Sequence, residues 1–120
     1  MEYVNYIFSV LIVGWLLLKM MPVKGIKQIT TVDLKSELKN KQKQFIDVRT
    51  TGEFSSGHIS GFTNIPLHEL TERADGLSKQ KEVIVICQSG MRSQKACKTL
   101  KKLGFTSITN VKGGMSSWRN

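Results

Sequence analysis

At 120 residues, with 40% hydrophobic and 22% charged side chains, the chain has room for one folded domain and an appendage, and its composition excludes a disordered protein. Its 18 Lys and Arg outnumber 9 Asp and Glu, for a net charge of +9. Two cysteines, Cys87 and Cys97, with no CxxC pair and no His/Cys cluster at zinc spacing, speak against a disulfide framework, a thioredoxin-type site or a metal centre, and the sequence gives no sign of a cofactor.

Residues 3–18 read YVNYIFSVLIVGWLLL, a run of 16 without charge. Lys19 interrupts the run and Met20-Met21 extend it. With Lys19 snorkelling and Tyr3, Tyr6 and Trp15 near the ends, residues 3–21 are expected to contact lipid as one transmembrane helix. A cleaved secretory signal fits less well. Glu2 is the only charged side chain before the run, and Met20-Met21-Pro22-Val23 offers no small-x-small cleavage site. A buried core helix needs a polar face, and this segment has none. Lys19, Lys24 and Lys27 come after the run and no Lys or Arg precedes it, so positive-inside logic places the C-terminal domain in the cytoplasm. The expected organisation is an anchor over 1–22 and a domain over 23–120, in a single-pass protein of the cell membrane. Two free thiols agree with a reducing compartment.

All basic residues but Lys19 and all acidic residues but Glu2 lie in 23–120, so the excess of nine positive charges belongs to the domain. The lysines are scattered over several elements without an aromatic stacking platform. They read as a solvated surface that gains from an anionic leaflet, and nucleic acid is not expected as a partner.

The domain alternates in type. Residues 26–29 form a strand candidate. Thr31 is placed to cap a helix over 32–40, with Leu34 and Leu38 on one face. Residues 44–48, QFIDV, are a compact strand. Asn64-Ile65-Pro66 is a short extended piece, because the residue before proline avoids helical geometry. A helix is expected over 67–74 and a fully apolar strand over 83–86. A helix comes next over 93–103, with Ala96, Leu100 and Leu103 along one side and Gly104 ending it. The last strand is expected over 106–111. Short apolar strands alternating with helices predict an α/β fold, a parallel sheet covered on both faces. The strand 83–86 is expected at its centre, with ligands bound beyond the carboxyl ends of the strands, where Cys87 lies.

Cys87 opens the stretch Cys87-Gln88-Ser89-Gly90-Met91-Arg92-Ser93. A loop entering a helix N-terminus collects backbone N–H groups into an anion-binding nest, and the helix dipole adds positive charge. Gly90 permits a tight turn and Arg92 adds a full charge. Such a setting favours the thiolate and suits covalent catalysis. Free cysteine is often just a core residue. That reading suits Cys97, beside Ala96 and Leu100, but it leaves Gly90, Arg92 and the helix start unexplained at Cys87.

The stretch resembles the C-x-x-G-x-R-S active-site loop of the rhodanese family of sulfurtransferases. Asp47-Val48-Arg49, Glu53-Phe54, Gly57-His58-Ile59 and Asn64-Ile65-Pro66 are similar, in order, to the family's first signature. Gly104-Phe105 through Val111-Lys112-Gly113-Gly114 to Trp118 resembles its ending. Gly61-Phe62 departs from the commoner Ala or Gly-Ala, away from the loop. The resemblance implies a five-stranded parallel sheet with helices on both sides. It also implies a persulfide on Cys87, taken from a donor such as thiosulfate and passed to a thiol or cyanide. The backbone of Gln88, Ser89, Gly90, Met91, Arg92 and Ser93 would form the cradle, with Arg92 attracting the donor.

Two alternatives are weighed against it. Cysteine phosphatases, and arsenate reductases like them, have a loop one residue longer between cysteine and arginine, and many carry His where this chain has Ile86. The other is a non-enzymatic sulfur-carrier or docking module at the membrane; the intact Cys87 and the full loop argue against a dead domain. His58 is a candidate base. The structural reading is preferred for Arg49, Glu53 and His58, with Arg49 and Glu53 pairing across a tight turn and Asp47 bracing neighbouring loops. His68 is expected on the surface.

Overall fold

The fold is that of a computed structural model describing residues 2–20 and 25–119. Helix α1 (Glu2–Met20) spans the uncharged run, and its apolar side chains, Ile7, Phe8, Leu11 and Leu18 among them, are exposed. Among the described residues no helix is long and apolar enough to cross a membrane. The span expected from the sequence thus gains no support among the described residues. Its uncharged residues rise about 24 Å against a hydrocarbon core of about 30 Å. The extension through Met21, the Lys24 flank, the boundary at 22–23 and the snorkelling of the Lys19 side chain lie outside the described residues.

The domain is a five-stranded parallel sheet in the order β1-β5-β4-β2-β3. Its strands are β1 (Lys27–Ile29), β2 (Gln44–Asp47), β3 (Thr63–Asn64), β4 (Val83–Ile86) and β5 (Ile108–Val111). β4 is the middle strand and all four of its side chains are buried, as its lack of any polar face predicts. The β4 side chains alternate. Val83, Val85 and Cys87 face a core layer closed by Leu70, Ala96, Cys97 and Leu100 of α4 (Leu70–Arg73) and α5 (Met91–Lys102). Ile84 and Ile86 face the other layer, with Leu34 of α2 (Thr31–Glu37), Phe54 of α3 (Thr51–Ser56) and Met115 of α6 (Gly114–Ser117). Helices therefore cover both faces, as expected.

Several local expectations shift. The α2 cap is Thr30, not Thr31, because its hydroxyl accepts the Asp33 N–H while the Asp33 carboxylate accepts the Thr30 N–H. The helix expected over 67–74 is α4 flanked by two tighter 3-10 turns, Leu67–Glu69 and Ala74–Gly76. α5 begins at Met91 rather than 93, directly after Gly90. α3, which reads from sequence only as a turn, is a helix with its own reciprocal cap between Thr50 and Glu53.

Candidate active site

The site lies where β4 ends and α5 begins. Gly90 holds φ +102°, a left-handed conformation that glycine adopts without strain and that turns the chain sharply into α5. The turn brings the Gly90 N–H back to Cys87, donating to Sγ at 2.9 Å. The Cys87 thiol donates to Ser93 Oγ at 3.3 Å, and the Ser93 hydroxyl donates to the Gly90 carbonyl at 3.0 Å. A hydroxyl can rotate, so Ser93 can turn its hydrogen onto sulfur once the thiol proton is gone. The first turn of α5 supplies further N–H groups that have no intrahelical acceptor. The sulfur is fully buried, which keeps water away from it.

The C-terminal segment holds the loop from behind. Met115 N–H donates to the Cys87 carbonyl at 2.8 Å, and Ser116 N–H to the Gln88 carbonyl at 2.9 Å. Ser116 Oγ also donates to the Gln88 carbonyl at 2.8 Å. Loop carbonyls are thereby tied to α6, away from the sulfur. Gly114 makes this contact possible: a Cβ there would lie 2.2 Å from the Cys87 carbonyl oxygen. The Gly113-Gly114 pair is plain in the sequence, but its role under the loop is not.

Asp47 and Arg49 are both buried and pair with each other. Arg49 Nη2 donates to Asp47 Oδ2 at 2.9 Å, and Nε to Oδ1 at 3.1 Å. Arg49 also reaches the Gly57 carbonyl at 2.7 Å and Gln88 Oε1 at 3.3 Å. Gln88 Nε2 in turn meets Ser116 Oγ at 3.3 Å. A line of contacts therefore runs from β2 through the loop to α6, and Asp47 braces it by fixing Arg49.

The expected Arg49–Glu53 pair is corrected. Glu53 instead takes Arg92, with Nη1 to Oε1 at 2.6 Å and Nη2 to Oε2 at 2.9 Å. The reason is directional. Arg49 is drawn inward by the buried Asp47 carboxylate, while the Thr50–Glu53 cap aims Glu53 at α5. Arg92 thus meets the site as half of a bidentate pair, not as a free guanidinium. His58 stacks on Phe54 with ring centres 3.8 Å apart, and its Nδ1 lies 2.9 Å from the Phe54 carbonyl. Both contacts hold the ring against α3. His68 is exposed, as expected, although it lines a cleft of about 330 Å³ with Arg92 and Thr50. Burial pushes the Cys97 thiol up to about 12, so near neutrality it stays protonated.

The Arg92 guanidinium and the Thr50 N–H hold the Glu53 carboxyl down at about 2, below its usual 4.5. The ionised pair therefore adds stability that is complete above about pH 4.5 and fades as pH falls toward 2. Glu53→Gln should melt below the wild type at pH 6, and the gap between the two melting curves should close as pH drops toward 2. A gap that stays constant with pH would show that the pair contributes nothing.

These features have a family. A sequence profile described as the Rhodanese-like domain matches residues 30–120. The chain belongs to the rhodanese-like domain family. The sulfurtransferase of Allochromatium vinosum is 33% identical over 73 residues, covering 61% of this chain and 68% of that one. The uncharacterized protein YqhL of Bacillus subtilis is 45% identical over 78 residues, or 65% of this chain. The chain spans only 62% of YqhL's own length. Among solved structures, a rhodanese-like domain protein from Staphylococcus aureus superposes with a TM-score of 0.73 at 33% identity. That match covers 79% of this chain and 93% of the other. Fold and family therefore agree with the resemblance.

Proposed function

We propose that this rhodanese-like chain is a sulfurtransferase of the thiosulfate type, with Cys87 as the nucleophile. The observation that carries the reading is the Gly90 N–H donated to Cys87 Sγ at 2.9 Å under the start of α5. Donors aimed at a sulfur stabilise negative charge on it and on the sulfur added to it. The Cys87 thiolate attacks the outer sulfur of thiosulfate. A Cys87–sulfur bond forms, the sulfur–sulfur bond of thiosulfate breaks, and sulfite leaves with the electron pair. Cyanide or a thiolate then attacks the outer sulfur of the persulfide, and Cys87 leaves as thiolate. The backbone of residues 88–93 cradles the added sulfur, with Arg92 acting through its pair with Glu53. The short loop from Cys87 to Arg92 suits one sulfur atom better than a tetrahedral phosphate.

The full chain should turn thiosulfate and cyanide into thiocyanate and sulfite. Intact-mass analysis after thiosulfate alone should show one added sulfur. The same preparation should release negligible phosphate from aryl phosphates. Rapid phosphate release with no sulfur adduct would replace this reading with the phosphatase one.

We further propose that α1 holds the domain at the cell membrane with residues 23–120 in the cytoplasm. The uncharged run of residues 3–18 and the basic flank behind it support this reading. Lys19 snorkelling and local bilayer thinning can close the gap between the run and the bilayer. The protein should remain in the membrane pellet through washes with high salt and alkaline carbonate. Extraction by salt alone would show that only the basic surface holds it there.

A further inference from the structure

On α5, Lys95, Lys98 and Lys102 fall at i, i+3 and i+7, on one face of the helix. They line a cleft of about 560 Å³ whose other end is formed by Ser89, Gly90 and Met91 of the active loop. Among the described residues no carboxylate pairs with any of the three lysines. Arg92, by contrast, is neutralised by Glu53. The uncompensated positive charge beside the loop is therefore this lysine strip. Met91, 71% exposed, stands where the strip meets the loop.

We infer that the strip is the docking site of a protein acceptor, which presents its thiol from an acidic, extended segment. Three observations select that occupant. The lysines lie about 4.5 and 6 Å apart along the helix axis, and their long side chains can reach carboxylates on alternate residues of an extended chain, about 6.6 Å apart. Met91 offers the adaptable apolar contact that protein surfaces use and small anions do not need. The sulfur is fully buried, so a thiol carried by a protein must be steered onto the loop by contacts around it. A lipid surface fits less well, because the strip runs into the loop and a bilayer laid on it would close the route to Cys87.

The inference rests on the sulfur-transfer reading above. The docked thiolate attacks the outer sulfur of the Cys87 persulfide and takes it, a new sulfur–sulfur bond forms on the acceptor, and Cys87 leaves with the electron pair as thiolate.

The test uses the full chain in detergent and a short synthetic peptide with glutamates at alternate positions ahead of a single cysteine. The same peptide with glutamines is the comparison. With Cys87 loaded from thiosulfate, kcat/KM for transfer to the glutamate peptide should exceed that for the glutamine peptide by about tenfold at low salt, an advantage that shrinks as salt rises. The advantage should vanish in the double variant Lys98→Glu, Lys102→Glu. A binding arm needs no sulfur chemistry: in the Cys87→Ser background, the same double charge reversal should weaken binding of the fluorescent glutamate peptide by about tenfold or more. Failure of Cys87 to load thus counts against the sulfur reading alone, while the binding arm still decides the docking. Equal binding of the two peptides, or a preference that survives charge reversal, overturns the proposal. So does a reversal that releases the protein from phosphatidylserine vesicles but leaves peptide binding intact, which would assign the strip to lipid.

Discussion

Cys87→Ser should reduce thiosulfate-to-cyanide transfer by at least about a thousandfold, to the level without enzyme. Oxygen in place of sulfur keeps nearly the same size and the same Gly90 and Ser93 partners. The loss would therefore be one of chemistry and not of fold. A serine hydroxyl is far less acidic than a thiol and cannot store sulfur as a persulfide. The variant should melt close to the wild type and gain no mass on thiosulfate treatment. Cys97→Ser is the matched control. Its thiol is buried in α5 and held protonated, so it offers no second nucleophile near neutrality. That variant should lose about 1 kcal/mol of stability, since a hydroxyl replaces an apolar group in the core, and should keep most of its activity. If Cys97→Ser were the dead variant and Cys87→Ser the active one, the nucleophile would be misassigned.

The contrast between the two cysteines is already present in the sequence, because it depends on local pattern. Cys87 ends a β-branched run and precedes a glycine-bearing loop, and both features are read within ten residues. The central place of β4 is legible for the same reason: four apolar side chains in a row need cover on both faces. The α3 helix escapes a reading of the sequence although its signal is there. Thr50-Thr51-Gly52-Glu53 carries the T-x-x-E of a capping box, but Gly52 and the two serines after Phe54 have poor helix propensity and hide it.

Pairings between distant segments are less legible. Arg49 and Glu53 sit four residues apart and invite a local pair. The fold sends them to different partners, because Asp47 is fully buried and needs a cation, and because α5 brings Arg92 alongside Glu53 from 39 residues away. Nothing in a linear pattern ranks a distant partner above a near one. The underside of the loop shows the same limit. Gly113-Gly114 can be matched to a family ending, but only the packed sheet shows that α6 presses against the Cys87 and Gln88 peptides.

That packing yields the other large expected effect. Gly114→Ala adds one methyl group far along the chain from Cys87, yet it should lower thiosulfate-to-cyanide transfer by about a hundredfold, because misplacing a reacting group by about 1 Å can cost that much. Two penalties combine at this position. Gly114 has φ +54°, where a non-glycine residue costs about 1–2 kcal/mol. The new Cβ would also sit 2.2 Å from the Cys87 carbonyl oxygen, and backbone on both sides leaves little room to yield. The loop must move away from α6. That strains the bonds from Met115 and Ser116 to the loop carbonyls and carries the Gly90 N–H off the line to Sγ. The damage should appear mainly in kcat, with the circular dichroism spectrum of the fold retained. Gly52→Ala is the comparison. It lies in α3 with nothing within 4 Å of its built Cβ and without a left-handed backbone, so alanine there should stabilise by about 0.5–1 kcal/mol and leave turnover unchanged. Full activity in Gly114→Ala would mean that α6 merely covers the loop, and that the cradle holds its shape without support from behind.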